Sequence, residues 1–464
     1  MYRTDIKKRI NRPVFSGALV LTAALLISGC AGIGKPAGSD YTQTEKNIPA
    51  FAEPLEYTPV QNNTTADDNS SLTQAGTTVS ADNTSISSDN SADSINITAD
   101  KTPAEVQQAI HEAMPGMDCW GDSITEGFLG NGETWPKTLS ELLDKSLIDP
   151  IREATGYSGL KCPEVRNMGV STETVPEITG RRGAVPFVLT KDVTIPADKT
   201  EVEIRFASSD RGQTTKPLRY GDGSYGDNGI NPVTIAGIRG TLSRYFDPSI
   251  DSSRYLFERL EAGDAVDVHK GEEVTTCAGL NGEDLLTDTS QAGAAAASPS
   301  PDYRSDFCVV MMGANGGYKD AGDLGDQFEK MAKMQGNDSF LLIGMGCTPE
   351  DSGLLTEKEE AYLTDRFGDR FISLQAWMSE HGVEYANKYF NAGLDISDRD
   401  QERIDKGYTP YCLLNEDGLH YTPTGYKVIG YMIFDEMDKR GYFDDLKTLA
   451  GLSPDINILS TLHP

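Results

Sequence analysis

This 464-residue chain predicts an α/β fold with a mainly parallel sheet, interrupted by a β-rich stretch. Three observations lead there. Beyond Lys101 short apolar runs alternate with longer amphipathic stretches, the pattern of strands joined by helical crossovers. About 360 residues remain after that point, enough for one large domain or a domain carrying an insertion. And between the second and third apolar runs roughly 110 residues change texture to period-two alternation.

Ordered structure is expected to begin at "TPAEVQQAIHEAM", where Thr102 suits the cap, Pro103 the first helical position and Glu105 the reciprocal capping contact. "MDCWGDS" reads as the first strand. The following "TWPKTLSELLDKSL" sets Leu139, Leu142 and Leu143 on one helical face, with Trp135 and Pro136 in its first turn. "EVRNMG" is the second strand, "DFCVVMMG" the third and "SFLLIGMG" the fourth, with the helical "LGDQFEKMAKM" between the last two. "TEKEEAYLTDRFG" then predicts a helix, "RFISL" a short strand, and "TPTGYKVIGYMIFDEMDKRG" a closing amphipathic helix.

The interruption contains "FVLTKDVTIPADKTEVEIRF", which alternates and is rich in Val, Ile and Thr, and the glycine-dense "YGDGSYGDNGINPVTIAGIRGTL". It reads as an inserted β-rich subdomain over residues 185–297, leaving the α/β domain in two parts, 102–184 and 298–464. The alternative is that these strands extend the main sheet.

At the other end, "MYRTDIKKRINRP" is basic and "VFSGALVLTAALLI" apolar but short for a membrane span, so residues 1–29 read as a signal peptide. "LISGC" looks like a bacterial lipobox, which would make Cys30 the lipidated mature N-terminus and anchor the exported protein to the cell membrane, facing outward. An uncleaved anchor is the competing reading. Residues 30–101 are dominated by Ser, Thr, Asn, Asp and Gly, too little apolar surface to offset the entropy of ordering, and predict a flexible tether.

A net charge of −30 argues against nucleic acid or anionic lipid surfaces as partners. Seven cysteines include Cys30, and no CxxC or Cys/His cluster occurs, so neither a zinc site nor any other metal site is expected. Cys119 and Cys308 fall in apolar runs and suit small buried hydrophobes. Spacing assigns no disulfide.

In "DCWGDSITEGF" Ser123 stands where a strand ends, the edge of a parallel sheet at which functional groups collect. Gly-Asp-Ser alone also suits an ordinary turn. A nucleophilic serine needs a base, most often histidine. Of five histidines, His111, His269, His381 and His463 suit surface or capping positions. His420 differs, because "NEDGLHYTPTGY" places Asp417 three residues before it, within reach of the same imidazole. An oxyanion also needs donors. Gly169, in "NMGVSTE", is expected to present an unobstructed N–H, and Asn315, in "MMGANGGY", a side-chain amide. Singly each suits a turn; together they end consecutive strands on the edge where Ser123 emerges.

The ordered set "GDSITEG", "NMGVS", "GANGG" and "DGLHYTPTGY" resembles the four blocks of the SGNH hydrolases, the GDSL esterase/lipase superfamily, across the whole domain except the insert. The resemblance implies a flavodoxin-like, three-layer α/β/α sandwich. It also implies Ser123 as nucleophile, Asp417 and His420 completing the triad, and Ser123, Gly169 and Asn315 as oxyanion donors. Many members carry Asp after the third-block asparagine; this chain has Gly316, which bears on the local loop. The absence of G-x-S-x-G argues against an α/β-hydrolase.

The implied reaction is two-step acyl transfer with no cofactor. Membrane tethering, a long polar linker and the β-rich insert favour short acyl groups on carbohydrate as substrate. A lipase would want an apolar lid, and no long apolar stretch supplies one. An O-acyltransferase or lysophospholipase of the same superfamily, and an inactive glycan-binding lipoprotein, are the alternatives.

Overall fold

The computed structural model describes residues 101–218, 221–222, 228–247, 252–279, 306–347, 352–353 and 355–462. The expected signal peptide, Cys30 and most of the tether lie outside them, as do residues 280–297 of the β-rich stretch. The first helix, α1 (Pro103–Ala113), carries the reciprocal cap: Thr102 Oγ1 accepts the Glu105 N–H at 3.4 Å and Glu105 Oε2 the Thr102 N–H at 2.7 Å.

The chain has an α/β fold built on a five-stranded, all-parallel sheet. Its strands are β1 (Gly116–Gly121), β2 (Glu164–Gly169), β3 (Phe307–Met312), β4 (Phe340–Gly344) and β5 (Phe371–Ser373). They lie in the order β5-β4-β3-β1-β2. Every residue of β1 and β3 is buried, which is why these segments read as unbroken apolar runs.

Alternate strand residues feed two apolar clusters. Met117, Cys119, Val309, Met311, Leu341 and Ile343 pack with Leu139 and Leu143 of α3 (Trp135–Leu143) and with Ile429, Met432 and Ile433 of the closing helix Pro423–Lys439. Trp120, Met168, Cys308, Val310 and Met312 pack instead with Val175 and Ile178 of the helix Val175–Arg181 and with Leu324, Phe328 and Met331 of the helix Ala321–Gln335. Each fully buried Leu, Met or Phe stabilises the fold by about 1.5–3 kcal/mol relative to exposure. Gly430 lets the closing helix approach α3, since a Cβ there would lie 2.7 Å from Thr138 Cβ.

Between Phe187 and Thr275 the chain forms a second sheet of eight strands. All its pairings are antiparallel. It has an apolar cluster of its own around Phe187, Phe206, Ile235, Leu242 and Phe257. Among the described residues none of its strands pairs with the parallel sheet.

Candidate active site

The site is set by register. Gly121, the last residue of β1, lies beside Gly169 of β2 and Met311 of β3, so the loops after three adjacent strands leave the sheet at one level. The chain turns sharply after Gly121, where a Cβ would fall 2.1 Å from Thr125 Oγ1 and 2.6 Å from Met311 O. It enters the one-turn helix α2 (Ser123–Glu126), capped by Asp122, whose carboxylate accepts the Ile124 N–H at 3.0 Å. Gly127 ends that turn in the left-handed conformation, φ 89°.

His420 arrives from the far end of the chain. The Asn415 N–H donates to His420 O at 2.7 Å and the Gly418 N–H to Asn415 O at 2.9 Å, closing a turn just before the helix that Thr422 caps. Its ring spans two partners: Nε2 lies 2.8 Å from Ser123 Oγ, and Nδ1 lies 2.6 Å from Asp417 Oδ2. The other Asp417 oxygen accepts the N–H groups of Leu419 and His420, both at 3.0 Å. Phe128 meets the imidazole edge-on, ring centroids 4.8 Å apart.

Comparison with known proteins gives no name to this geometry: no family model, no curated protein and no solved structure matches the chain.

Ser123, His420 and Asp417 stand in one hydrogen-bonded line. Partial burial pushes the Asp417 carboxyl up, but the hydrogen bonds from the His420 ring and from the Leu419 and His420 N–H groups outweigh it and leave its pKa below the ordinary value. Two neighbouring carboxyls shift the other way. Burial raises Asp122 to about 7, opposed by the Ile124 N–H and reinforced by the charge of Glu173. Burial raises Glu173 to about 6 despite the attraction of Arg181.

The residues expected as oxyanion donors divide. Asn315 Nδ2 donates one of its two N–H bonds to the Glu173 carbonyl at 3.0 Å, which orients the amide and leaves the second N–H for a ligand. The Ser123 N–H, at the first helical position, has no intrahelical acceptor. Gly169 corrects the expectation drawn from sequence: its N–H is not unobstructed but donates to Asn167 Oδ1 at 3.0 Å. Asparagine bonding the N–H two residues on is a common turn device, and "NMG" carried that signal. Glycine stands at 169 because α2 lies against the strand end, where a Cβ would be 2.1 Å from Glu126 N.

Residues with no motif complete the surroundings. The loop after β2 is held by Ser171 N–H to Glu126 Oε2 at 2.5 Å, and Thr172 adopts φ 72°, a strained state for a β-branched residue. Arg181, fully buried, grips Glu173 through Nε at 2.9 Å and Nη2 at 2.8 Å, donates to Asn228 O at 2.6 Å, and lies over the Trp120 ring. A buried arginine far from any motif has no sequence signature.

His111 lies on α1, while His269 and His381 stand 3.7 Å from Asp192 and 3.9 Å from Glu380. None approaches Ser123; His463 lies outside the described residues. Among the described residues no group of three His, Cys, Asp or Glu side chains is arranged to hold a metal. A cavity of about 720 Å³, lined by Lys333, Phe340 and Arg366 among others, opens at the start of β4, the opposite end of the sheet from Ser123.

Proposed function

We propose that the protein is a serine esterase of the SGNH hydrolase type. In this reading the parallel sheet and its helices are the core of a flavodoxin-like α/β/α sandwich, and residues 185–297 are a β-rich subdomain inserted into it. The observation that carries the proposal is the line from Ser123 Oγ through His420 to Asp417, with contacts of 2.8 and 2.6 Å.

His420 Nε2 takes the Ser123 proton as Oγ bonds to an ester carbonyl carbon, and Asp417 stabilises the imidazolium. Negative charge moves to the carbonyl oxygen, where the Asn315 amide and the Ser123 N–H act as donors. Collapse breaks the bond to the alcohol, which leaves with the proton from Nε2. Water, giving a proton to the same nitrogen, then attacks the acyl-enzyme; the acid leaves and Ser123 regains its hydroxyl. Metal and nucleotide have no part in this sequence.

Short acyl groups on carbohydrate are the proposed substrates, and a lipid on Cys30 would hold the enzyme at the outer face of the cell membrane. The test is acetate release from acetylated xylan, O-acetylated peptidoglycan and an aryl acetate, beside labelling by a fluorophosphonate. The expected result is release and an adduct at Ser123, both abolished by Ser123→Ala. Wild-type protein that takes no label and cleaves none of these esters refutes the proposal.

A further inference from the structure

The Asn315 side chain, proposed above as an oxyanion donor, rides on a loop that its own sequence leaves loose. Gly313, Gly316 and Gly317 have φ of 125°, 68° and 85°, and glycine carries the largest backbone entropy of any residue. Such a donor has to be held to within about 0.5 Å to act on a developing charge. The parallel-sheet side supplies part of the restraint: the Val175 N–H donates to Gly316 O at 3.0 Å, and Asn315 itself donates to Glu173 O at 3.0 Å.

The remaining restraint comes from the antiparallel sheet. After the strand Phe206–Ser208 the chain turns back tightly, Gly212 N–H donating to Ser208 O at 2.9 Å and Ser208 N–H to Gln213 O at 3.0 Å. Two charged residues at this turn reach across. Asp210 Oδ2 accepts from Gln327 Nε2 at 3.0 Å and from Lys330 Nζ at 2.8 Å, fixing the turn on the helix Ala321–Gln335. Beside it, the almost fully buried Arg211 side chain uses both arms of its guanidinium. Nη1 donates to the Gly317 carbonyl, and Nη2 to Asp323 Oδ1 at 2.5 Å. The other oxygen of Asp323 accepts the Lys319 N–H at 2.8 Å. One guanidinium thus ties the carbonyl two residues after Asn315 to the carboxylate that anchors the far end of the same loop.

We infer that Arg211 is a positioning residue for the oxyanion loop, and that the antiparallel sheet serves the reaction by presenting it. The inference rests on the esterase reading. A planar fork is required, because lysine offers a point charge that can satisfy Asp323 or Gly317 but cannot bridge both in one geometry. Loss of the bridge lets Asn315 drift while leaving substrate contacts elsewhere untouched. A misplacement of about 1 Å costs on the order of 10²-fold in rate.

The experiment measures kcat and KM on an aryl acetate, the fluorophosphonate labelling rate and the melting temperature. It compares wild type, Arg211→Ala, Arg211→Lys and Arg205→Ala, the last an exposed arginine beside the same sheet whose side chain, among the described residues, pairs with Glu203. Expected are a fall in kcat of about 10- to 100-fold for Arg211→Ala with KM within about twofold. Arg211→Lys should melt close to wild type yet stay several-fold low in kcat, and Arg205→Ala should match wild type. If Arg211→Ala fails to fold, Arg211→Lys alone decides: a wild-type kcat overturns the inference. It is also overturned if Arg211→Ala keeps its kcat, or if KM rises while kcat holds. Wild-type protein that takes no label at Ser123 overturns the esterase reading itself, and with it any role for Arg211 in the reaction.

Discussion

Replacing Asp417 by asparagine changes one atom and, on this geometry, inverts the imidazole. Asp417 Oδ1 accepts two backbone N–H groups at 3.0 Å while Oδ2 faces His420 Nδ1 at 2.6 Å. A carboxamide must put its oxygen on one side and its NH₂ on the other. Placing the NH₂ toward Leu419 and His420 N–H sets donor against donor twice and forfeits two hydrogen bonds, a cost of at least about 2 kcal/mol. The oxygen therefore stays with the backbone, and the NH₂ points at Nδ1. That nitrogen must then be an acceptor, so the proton sits on Nε2 and faces Ser123, where a base is needed. The catalytically useful tautomer falls to about one molecule in thirty or fewer on that 2 kcal/mol. The imidazolium also loses its counter-charge, giving an expected total loss in kcat of about 10³- to 10⁴-fold. Asp417→Ala imposes no tautomer, and because the side chain is 36% exposed water can take its place. Its loss should be about tenfold smaller, which a steady-state assay with an aryl acetate resolves, with the fluorophosphonate labelling rate as a second readout. An Asn variant as active as the Ala variant, or within tenfold of wild type, refutes the reasoning.

Two further predictions concern the turn that presents the serine. Burial lifts Asp122 from 3.8 to about 7, so the folded chain keeps a proton that the unfolded chain has lost across that window. The sign follows: this group's contribution to stability is complete below 3.8 and is lost as pH rises through about 7. Asp122→Asn keeps an oxygen for the Ile124 N–H and has no proton to lose, so thermal melts should show it gaining on wild type between pH 5 and about pH 7, by about 1.4 kcal/mol per pH unit, and levelling off above that. A difference that does not change with pH contradicts this. Gly169→Ala places a Cβ 2.1 Å from Glu126 N, against backbone that cannot swing away. It should destabilise by about 1–3 kcal/mol and slow labelling of Ser123, and unchanged melting and labelling would show that α2 does not press on the strand end as described.

The parallel sheet was readable because its strands are buried on both faces, so "DFCVVMMG" and "SFLLIGMG" stand out as short apolar runs and map onto β3 and β4. The helix Leu374–Phe390 was not, although it is among the longest. Its buried positions are Leu374, Gln375, Met378, Gly382, Ala386 and Tyr389, so polar Gln375 and small Gly382 and Ala386 break up the apolar stripe and lower its contrast. "TWPKTLSELLDKSL" predicted one helix, whereas the α-helix stops at Leu143 and Asp144–Ile148 forms a π turn before Pro150, which has no N–H to continue the ladder. Of the candidate site, the Ser123–His420–Asp417 line was legible because Asp417 and His420 are neighbours in sequence and Ser123 follows the end of a strand. The expectation of an unobstructed Gly169 N–H failed because an N–H says nothing of which nearby oxygen competes for it. Arg181 and Arg211 were invisible for a related reason: their partners, Glu173 and Asp323, lie in other elements, and no spacing connects them.

Electrostatics gives the proposed triad its remaining coherence. Three carboxyls belong to the loops around Ser123, and they differ in solvation and partners. Asp122 and Glu173 are about 1% exposed; Asp417 is 36% exposed in its side chain and accepts three hydrogen bonds. Burial therefore drives the first two toward their neutral forms, while the donors around Asp417 hold it ionised. Environments that push equivalent groups apart assign their roles. In the proposed reaction this keeps negative charge where the imidazolium would form and discourages it at Asp122, next to Ser123, where it would oppose an oxyanion. Arg181 acts the other way on Glu173: its guanidinium favours the ionised form, and burial outweighs it. Donating to both carboxylate oxygens, Arg181 compensates whatever charge Glu173 retains, and the Glu173 carbonyl, not its carboxylate, is what reaches Asn315.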